Sequence, residues 1–377
     1  MKTMFVSSTS LTVRNFRVGL MQALKAEGFE VSFCAQDNGY AKEVENKGFT
    51  FFPLVIDRKG INLFTEIKQI IFLYKLYKKE KPNIILHYTI KPNIYGSLAA
   101  KLAGIPCINT VTGLGYAFMN KNLLYYLVEI LYRVSCGFAQ RTFFQNSDDL
   151  NLFLKSKLIS KQKAVLVSGS GVNMDFFHPS FCRGLEKNAG QFVFLFSGRF
   201  LWDKGIDELV KAARLTKQKY SQARFWLVGI VDPGNPSGIS EERLNGWQKE
   251  GVITYWKEPP DIRKFICQAD CVVLPSYREG TPRSLLEALA MEKPIITTDT
   301  VGCREVIKDG VNGFCVPIKD QQALFSAFCK MIELPDEVRL EMGKVGFELA
   351  RIKFDENIIN PLYVKEIRNV LKCLICG

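Results

Sequence analysis

The sequence predicts an α/β protein built from two doubly wound domains. Short apolar runs rich in Val, Ile and Phe alternate with helical stretches along most of the chain, the pattern of parallel sheets covered by helices. The length, 377 residues, suits two domains of ordinary size. The alternation also restarts after a polar, glycine-bearing stretch at 180–190, which reads as a linker. With 47% hydrophobic and 23% charged residues, the chain has the composition of a folded globular protein.

Met4-Phe5-Val6 opens as the first strand, with a loop from Ser7 to Arg14 after it. A dinucleotide-binding oxidoreductase needs G-x-G-x-x-G in this turn, and the loop holds no glycine, which argues against that class. Asn15 to Ala26 then reads as an amphipathic helix and Val31 to Ala35 as the next strand. The pattern repeats through a strand from Thr50, a helix at 64–80, a strand from Ile84, a helix at 93–103 and a strand from Cys107. Two loops fall at carboxyl ends of strands, where such sheets bind ligands: His87 to Pro92, including Lys91, and Thr110 to Tyr116, including Thr112 and Gly113. A histidine at a strand end is commonly a structural hydrogen-bonder. His87 is also one of only two histidines and sits close to Lys91, so it stands as a ligand-side candidate too.

The stretch 122–140 is apolar on nearly every face. It reads either as a core helix or as an interfacial one, with Tyr125, Tyr126 and Tyr132 at headgroup depth and Lys121, Arg133 and Arg141 on anionic lipid. Residues 65–81 are a second interfacial candidate, an apolar stripe flanked by Lys68, Lys75, Lys78, Lys79 and Lys81. Phe143 to Ser147 is a further strand, and the glycine-bearing stretch after Val165 crosses into the second domain. The first domain is thus expected to span 1–175 and the second 190–355.

The second domain restarts with strand Phe192 to Phe196. Gly198 and Gly205 then bracket a loop holding Arg199 and Lys204, suited to a diphosphate as a bidentate fork and a point charge. Arg224 to Gly229 and Val252 to Glu258 are the next strands, with Asp261 following. Residues 272–299 form the most informative stretch: strand Val272 to Leu274, a polar loop, a helix through Met291 and a second strand from Pro294. Thr281 reads as the helix cap and Pro282 as the first helical residue, directing the amides of Arg283, Ser284 and Leu285 toward an anion, phosphate above all. Glu279 and Glu287 flank this point with seven residues between them. They fit either a cap and a lysine pair or, since carboxylates repel phosphate, the hydroxyls of a ribose or hexose. Phe354 to Leu374 reads as a C-terminal helix.

MKTMFVSSTS is too short in apolar residues for a signal peptide, and no run reaches the roughly 18 residues of a membrane span. A cytoplasmic chain is expected. Cys34, Cys107, Cys136 and Cys315 sit in apolar runs as small hydrophobes, and a lone Cys373/Cys376 pair is no zinc site. The net charge is +12 and uneven: residues 1–175 carry 22 Lys and Arg against 12 Asp and Glu, whereas 176–377 carry 28 against 26. A basic first half suggests a polyanion or an anionic membrane surface. No helix-turn-helix, zinc-finger or aromatic RNA-binding signature accompanies the charge, which argues against nucleic acid.

Several strings in order, namely G-R-x-x-x-x-K-G from Gly198, LPSYREG, E-G-T-P-R-S-L-L-E from Glu279 and GCREVIKDGVNGF from Gly302, resemble the retaining GT-B glycosyltransferases of family 4. With NTVTGLGYAF they are most similar to bacterial enzymes, CapM-like and PglA-like, that build capsule, O-antigen or lipid-linked oligosaccharides. The resemblance implies two Rossmann-like domains facing across a cleft, with the C-terminal helix (356–377) crossing back to the first. It implies a UDP-sugar donor, such as UDP-N-acetylgalactosamine, and an acceptor sugar on undecaprenyl diphosphate. On the donor side, Glu287 would hold the ribose, Arg199 and Lys204 the diphosphate, and Glu279 with the amides after Gly280 the sugar and its leaving phosphate. No D-x-D triplet is present, so metal-independent transfer is expected. Arg14, Arg17, His87, Lys91, Thr112 and Gly113 are the acceptor-side candidates. Related enzymes carry a histidine just before the first glycine of the second loop, where this chain has Thr112. Peripheral association with the inner face of the plasma membrane is expected. Two alternatives stay open: an inactive nucleotide-sugar-binding peripheral membrane protein, and a transferase for a soluble acceptor.

Overall fold

The alternating pattern resolves into two parallel sheets in the computed structural model, which is described for residues 1–55, 63–114, 118, 123–185, 190–232 and 234–375. Residues Met1–Gly171 together with Glu356–Gly377 form unit 1, and Val172–Asp355 form unit 2. The first boundary therefore falls a few residues before Asp175, between Gly171 and Val172, and Gly171 has φ +76°.

In unit 1 the strands are β1 (Lys2–Thr9), β2 (Glu30–Gln36), β3 (Thr50–Pro53), β4 (Ile84–Tyr88), β5 (Cys107–Val111), β6 (Arg141–Phe144) and β7 (Ala164–Leu166). They lie in the order β3-β2-β1-β4-β5-β6-β7. The winding direction reverses between β1 and β4, the place where open α/β sheets leave a crevice at the strand ends. The turn after β1 differs from the expected loop. The strand runs to Thr9, whose side chain accepts from Thr12 N and starts α1 (Ser10–Phe16) at once. That cap contributes about 1 kcal/mol. The helix breaks at Arg17, and α2 (Val18–Ala26) follows. Next come α3 (Ala41–Glu45), α4 (Leu63–Glu80), a π-helical turn at Pro92–Gly96, α5 (Ser97–Ala103), α6 (Leu123–Phe138) and α7 (Ser147–Lys155).

Helix α6 has one apolar face buried and another exposed. Tyr125 and Tyr132 are buried in a cluster with Val111, Phe144 and Phe153, so they are core residues and not headgroup anchors. Leu123, Tyr126, Leu127, Ile130 and Val134 are exposed on the opposite face. Arg133 donates to Ser156 O and Arg141 pairs with Glu366 at 3.3 Å, so both basic groups have partners within the chain. Lys121 lies outside the described residues. Helix α4 buries Leu73 and Tyr77 and exposes Phe64, Ile67, Ile71 and Phe72, with Lys68, Lys75, Lys78 and Lys79 also exposed.

In unit 2 the strands are β8 (Phe192–Arg199), β9 (Ala223–Ile230), β10 (Thr254–Lys257), β11 (Cys271–Leu274), β12 (Ile295–Thr298) and β13 (Gly313–Val316), in the order β10-β9-β8-β11-β12-β13. The winding reverses between β8 and β11. The helices are α8 (Ile206–Lys219), α9 (Glu241–Lys249), α10 (Arg263–Gln268), α11 (Arg283–Ala290), α12 (Gln321–Glu333) and α13 (Asp336–Lys353). Helix α13 immediately precedes α14 (Glu356–Ile375), which belongs to unit 1 and packs against α2. Its Ile359, Tyr363, Ile367 and Leu371 join Phe5, Leu24 and Phe143 in one core cluster. Cys182 and Cys267 form a disulfide, a pairing 85 residues apart that no local spacing announces. Among the described residues no helix is long and apolar enough to cross a membrane.

Candidate active site

The two strands at the switch point of unit 2 carry the residues singled out in its sequence. Strand β8 ends at Arg199, and the chain continues through a 3-10 turn, Trp202–Lys204, to Gly205. Gly205 has φ +70°, and a Cβ there would lie 2.0 Å from Pro275 O, so only glycine lets this turn press against the end of β11. The loop after β11 is tied down along its length. Tyr277 N donates to Asp203 O at 2.8 Å and Glu279 N to Val301 O at 3.0 Å, and the Thr300 hydroxyl donates to Tyr277 O at 2.7 Å. Gly302, φ +81°, fits beneath it where a Cβ would be 2.5 Å from Glu279 O.

These ties bring Lys204 and Glu279 together as a hydrogen-bonded ion pair with side chains 18% and 13% exposed. Glu279 is therefore a partner of Lys204 and not a helix cap. Arg283 and Glu287, one turn apart on α11, pair at 3.2 Å and are similarly covered, so Glu287 has an arginine beside it. Arg199 lies more openly, 45% exposed, with Nη1 3.4 Å from Asp232 Oδ2. The helix start is displaced by one residue from the expected position. Pro282 is the N-cap, with φ −74° and ψ 109°, Arg283 is the first helical residue, and no side chain caps the helix. Leu285 N donates to Pro282 O at 3.1 Å, so that amide is spent within the first turn. Gly280, Thr281 and Ser284 complete the segment. The Tyr277 phenol donates to both Glu208 oxygens at 2.8 Å, and Cys303, buried near Glu279, has its thiol pushed up to about 12 by burial. Asp261 is held by Arg263 at 2.7 Å, which keeps its carboxyl below the ordinary range.

The candidates of unit 1 separate into core and crevice residues. His87 is fully buried, its Nδ1 donating to Asn109 Oδ1 at 3.0 Å and its Nε2 accepting from the Tyr77 hydroxyl at 3.1 Å. Burial lowers its pKa to about 4, and it is a neutral structural group rather than one that meets a ligand. Arg17 is also in the core, 3% exposed, with its guanidinium 4.0 Å from the Tyr88 ring centroid and bonded to the Ser170 hydroxyl. Arg14 pairs with Glu43 at 2.6 Å. These contacts turn both arginines to partners within unit 1. Thr112 and Gly113 follow β5 in partly exposed positions, whereas Gly115 and Tyr116 lie outside the described residues. Lys91 is different. It pairs with Glu66, a residue with no local signal, at the crevice between β1 and β4. Thr89, two residues earlier, has φ +73°, a conformation costing about 1–3 kcal/mol for a β-branched residue. Its hydroxyl meets that of Ser8 at 2.5 Å.

Among the described residues no group of three or more His, Cys, Asp or Glu is placed to hold a metal ion. Unit 2 offers three basic side chains, Arg199, Lys204 and Arg283, with the carboxylates Glu279 and Glu287 and a helix start, at the ends of β8 and β11, an arrangement able to hold a sugar nucleotide by its diphosphate and hydroxyls.

Comparison with known proteins identifies the family. Residues 4–146 match the family described as glycosyl transferase 4-like, and residues 180–348 match glycosyl transferases group 1. The sequence is 30% identical to the N,N'-diacetylbacillosaminyl-diphospho-undecaprenol alpha-1,3-N-acetylgalactosaminyltransferase of Campylobacter jejuni, over 99% of this chain and 100% of that one. It is 26% identical, over 94% of each chain, to the UDP-Gal:alpha-D-GlcNAc-diphosphoundecaprenol alpha-1,3-galactosyltransferase of Escherichia coli. Among solved structures, the sucrose-phosphate synthase of Thermosynechococcus elongatus aligns with a TM-score of 0.82 at 19% identity, over 99% of this chain and 100% of that one. Anabaena HepE in complex with UDP aligns with a TM-score of 0.77 at 17% identity, over 98% and 100%. The chain has the GT-B fold and belongs to the group 1, family 4-like glycosyltransferases.

Proposed function

We propose that this glycosyltransferase moves an N-acetylhexosamine, N-acetylgalactosamine in the first instance, from its UDP-sugar to a sugar carried on undecaprenyl diphosphate, with retention of configuration and without a metal ion. The reaction serves assembly of a bacterial surface polysaccharide or glycan. The observation that carries this reading is the 30% identity to the Campylobacter jejuni N-acetylgalactosaminyltransferase over the full length of both chains. The gathered Lys204–Glu279 and Arg283–Glu287 pairs support the donor side. Lys204 and Arg199 take the diphosphate, Glu279 the sugar hydroxyls and Glu287 the ribose. The bond from the anomeric carbon to the UDP oxygen breaks as the acceptor oxygen bonds to the same face. The acceptor proton passes to the leaving phosphate, and the cations stabilise the charge that develops there.

The exposed apolar faces of α4 and α6, with the lysines of α4 at their margin, support docking on an anionic bilayer that holds such an acceptor. The test is transfer from a panel of UDP-sugars to a polyprenyl-diphosphate-linked saccharide, followed by NMR of the product. An α-linked product from UDP-N-acetylgalactosamine, formed at a rate EDTA leaves within about twofold, is expected. An inverted anomeric centre, or activity abolished by EDTA and restored by Mg²⁺, overturns the mechanism. Transfer only to soluble saccharides overturns the lipid acceptor.

A further inference from the structure

Unit 2 gathers its charged pairs at the β8/β11 switch point, and unit 1 has a corresponding place, the carboxyl ends of β1 and β4. Four observations meet there. Ser8 and Thr89 bridge the two strand ends hydroxyl to hydroxyl. Thr89 holds its left-handed backbone conformation without being glycine or asparagine. The π-helical turn at Pro92–Gly96 touches both strands as well as α4, α5 and α6. Glu66 of α4, 3% exposed, reaches Lys91 at the foot of that turn.

The Tyr95 hydroxyl also bonds to Glu66, yet part of the polar surface beside the pair stays unused. Glu66 Oε2 and both amide atoms of Gln69, one turn further along α4 and 4% exposed, have no hydrogen-bond partner among the described residues. Buried polar atoms are rarely left so, and a cluster of them marks a place for water or ligand. A bridge that merely pinned α4 to the loop accounts for neither these atoms nor the strained Thr89. Replacing a buried ion pair with apolar side chains is commonly neutral or stabilising, so structure alone gives little reason to retain one.

Charge selects the ligand. A lysine already neutralised by a buried carboxylate is poorly suited to phosphate. Hydroxyl groups, which donate and accept, match a carboxylate, an ammonium, an amide and two hydroxyls together. We infer that the β1/β4 switch point of unit 1 is a sugar-hydroxyl site for the acceptor saccharide, with Glu66 and Gln69 determining which acceptor sugar is taken and Lys91 holding Glu66 in place. This rests on the acceptor reading above and assigns the acceptor's sugar, rather than its diphosphate, to this crevice.

The experiment measures transfer by the full chain to two acceptors, a polyprenyl-diphosphate-linked saccharide and the methyl glycoside of the same saccharide, each with its monodeoxy analogues. Glu66→Gln keeps the shape and removes the charge. It should raise the acceptor KM about tenfold or more, as loss of a hydrogen bond to a charged group does, and leave the donor KM within about twofold. One monodeoxy acceptor should be poor for the parent and no worse than the full acceptor for Glu66→Gln. An unchanged acceptor KM, or equal losses for every deoxy acceptor in parent and variant, overturns the inference. If Glu66→Gln does not fold by circular dichroism, Gln69→Met, which carries no charge change, is held to the same two outcomes. Rejection of the lipid-linked acceptor with use of the glycoside overturns the lipid reading alone, and rejection of both overturns both.

Discussion

Lys204 and Glu279 illustrate how much one pairing changes a site. Alone, a carboxylate beside a leaving phosphate opposes departure of the charge. Paired with Lys204 and mostly covered, it can face a sugar hydroxyl while the ammonium faces the phosphate. Lys204→Ala is therefore expected to do two kinds of damage, removing a stabilising cation and leaving Glu279 uncompensated. We expect kcat to fall by about 10²–10³, the scale of losing one oxyanion donor, in a UDP-release assay. Adding Glu279→Gln should recover part of the UDP affinity lost by Lys204→Ala, and no recovery would show that the two charges do not act as a pair. His87 supports a second residue-scale prediction. Its pKa falls from 6.5 to about 4 on burial, so the unfolded chain takes up a proton before the folded one does. Its contribution, roughly 3 kcal/mol, is complete above pH 6.5 and is lost as the pH falls toward 4. Urea unfolding of His87→Asn should show lower stability at pH 7 and a flatter decline between pH 6.5 and 4 than the parent. Arg199 and Lys204 could be singled out together because one short string holds both. Glu66 was not, because it lies 25 residues from Lys91 in a helix whose pattern points to its lysines.

At the scale of elements, periodicity located most strands and helices because apolar runs must bury one face. It misplaced ends where a side chain decides them. Thr9 starts α1 inside the expected loop, and Pro282 stands outside the helix it was expected to open. The buried and exposed tyrosines of α6 were not separable, since neighbouring positions on one apolar helix read alike until its packing is seen. Helix α4 allows a direct test of docking. Lys75, Lys78 and Lys79 are exposed beside an apolar face, and each basic group near an anionic surface contributes about 1 kcal/mol. The triple change to Glu is expected to release the protein from anionic vesicles and leave UDP-sugar binding unchanged. Binding by the parent should weaken with salt, because screening acts over about 10 Å at 0.1 M. Equal sedimentation of both proteins with vesicles would exclude α4 as the docking face.

Across the whole molecule, unit 1 is built from two separated pieces of chain, with all of unit 2 inserted between them. The Tyr363 ring of α14 stacks on Phe143 of β6 with centroids 4.3 Å apart, and Ile359 and Ile367 share the same core. A chain ending at Asp355 loses this cover. Each fully buried large apolar side chain contributes roughly 1.5–3 kcal/mol, so losing several exceeds a domain's usual margin. In limited proteolysis followed by mass spectrometry, the truncated protein is expected to be degraded through Met1–Gly171 while Val172–Asp355 survives. Survival of both units would show that α14 is dispensable for the first.

That discontinuity also sets an order of events during synthesis. The seven strands described in unit 1 all precede unit 2 in the chain, yet the helix that closes one face of their sheet emerges only after unit 2 is complete. Unit 2, a single continuous stretch, can mature while its companion waits unfinished. A nascent chain interrupted anywhere before α14 therefore displays an open apolar face, the feature by which chaperones and proteases sort incomplete products. Synthesis of α14, rather than completion of either sheet, closes the core of unit 1.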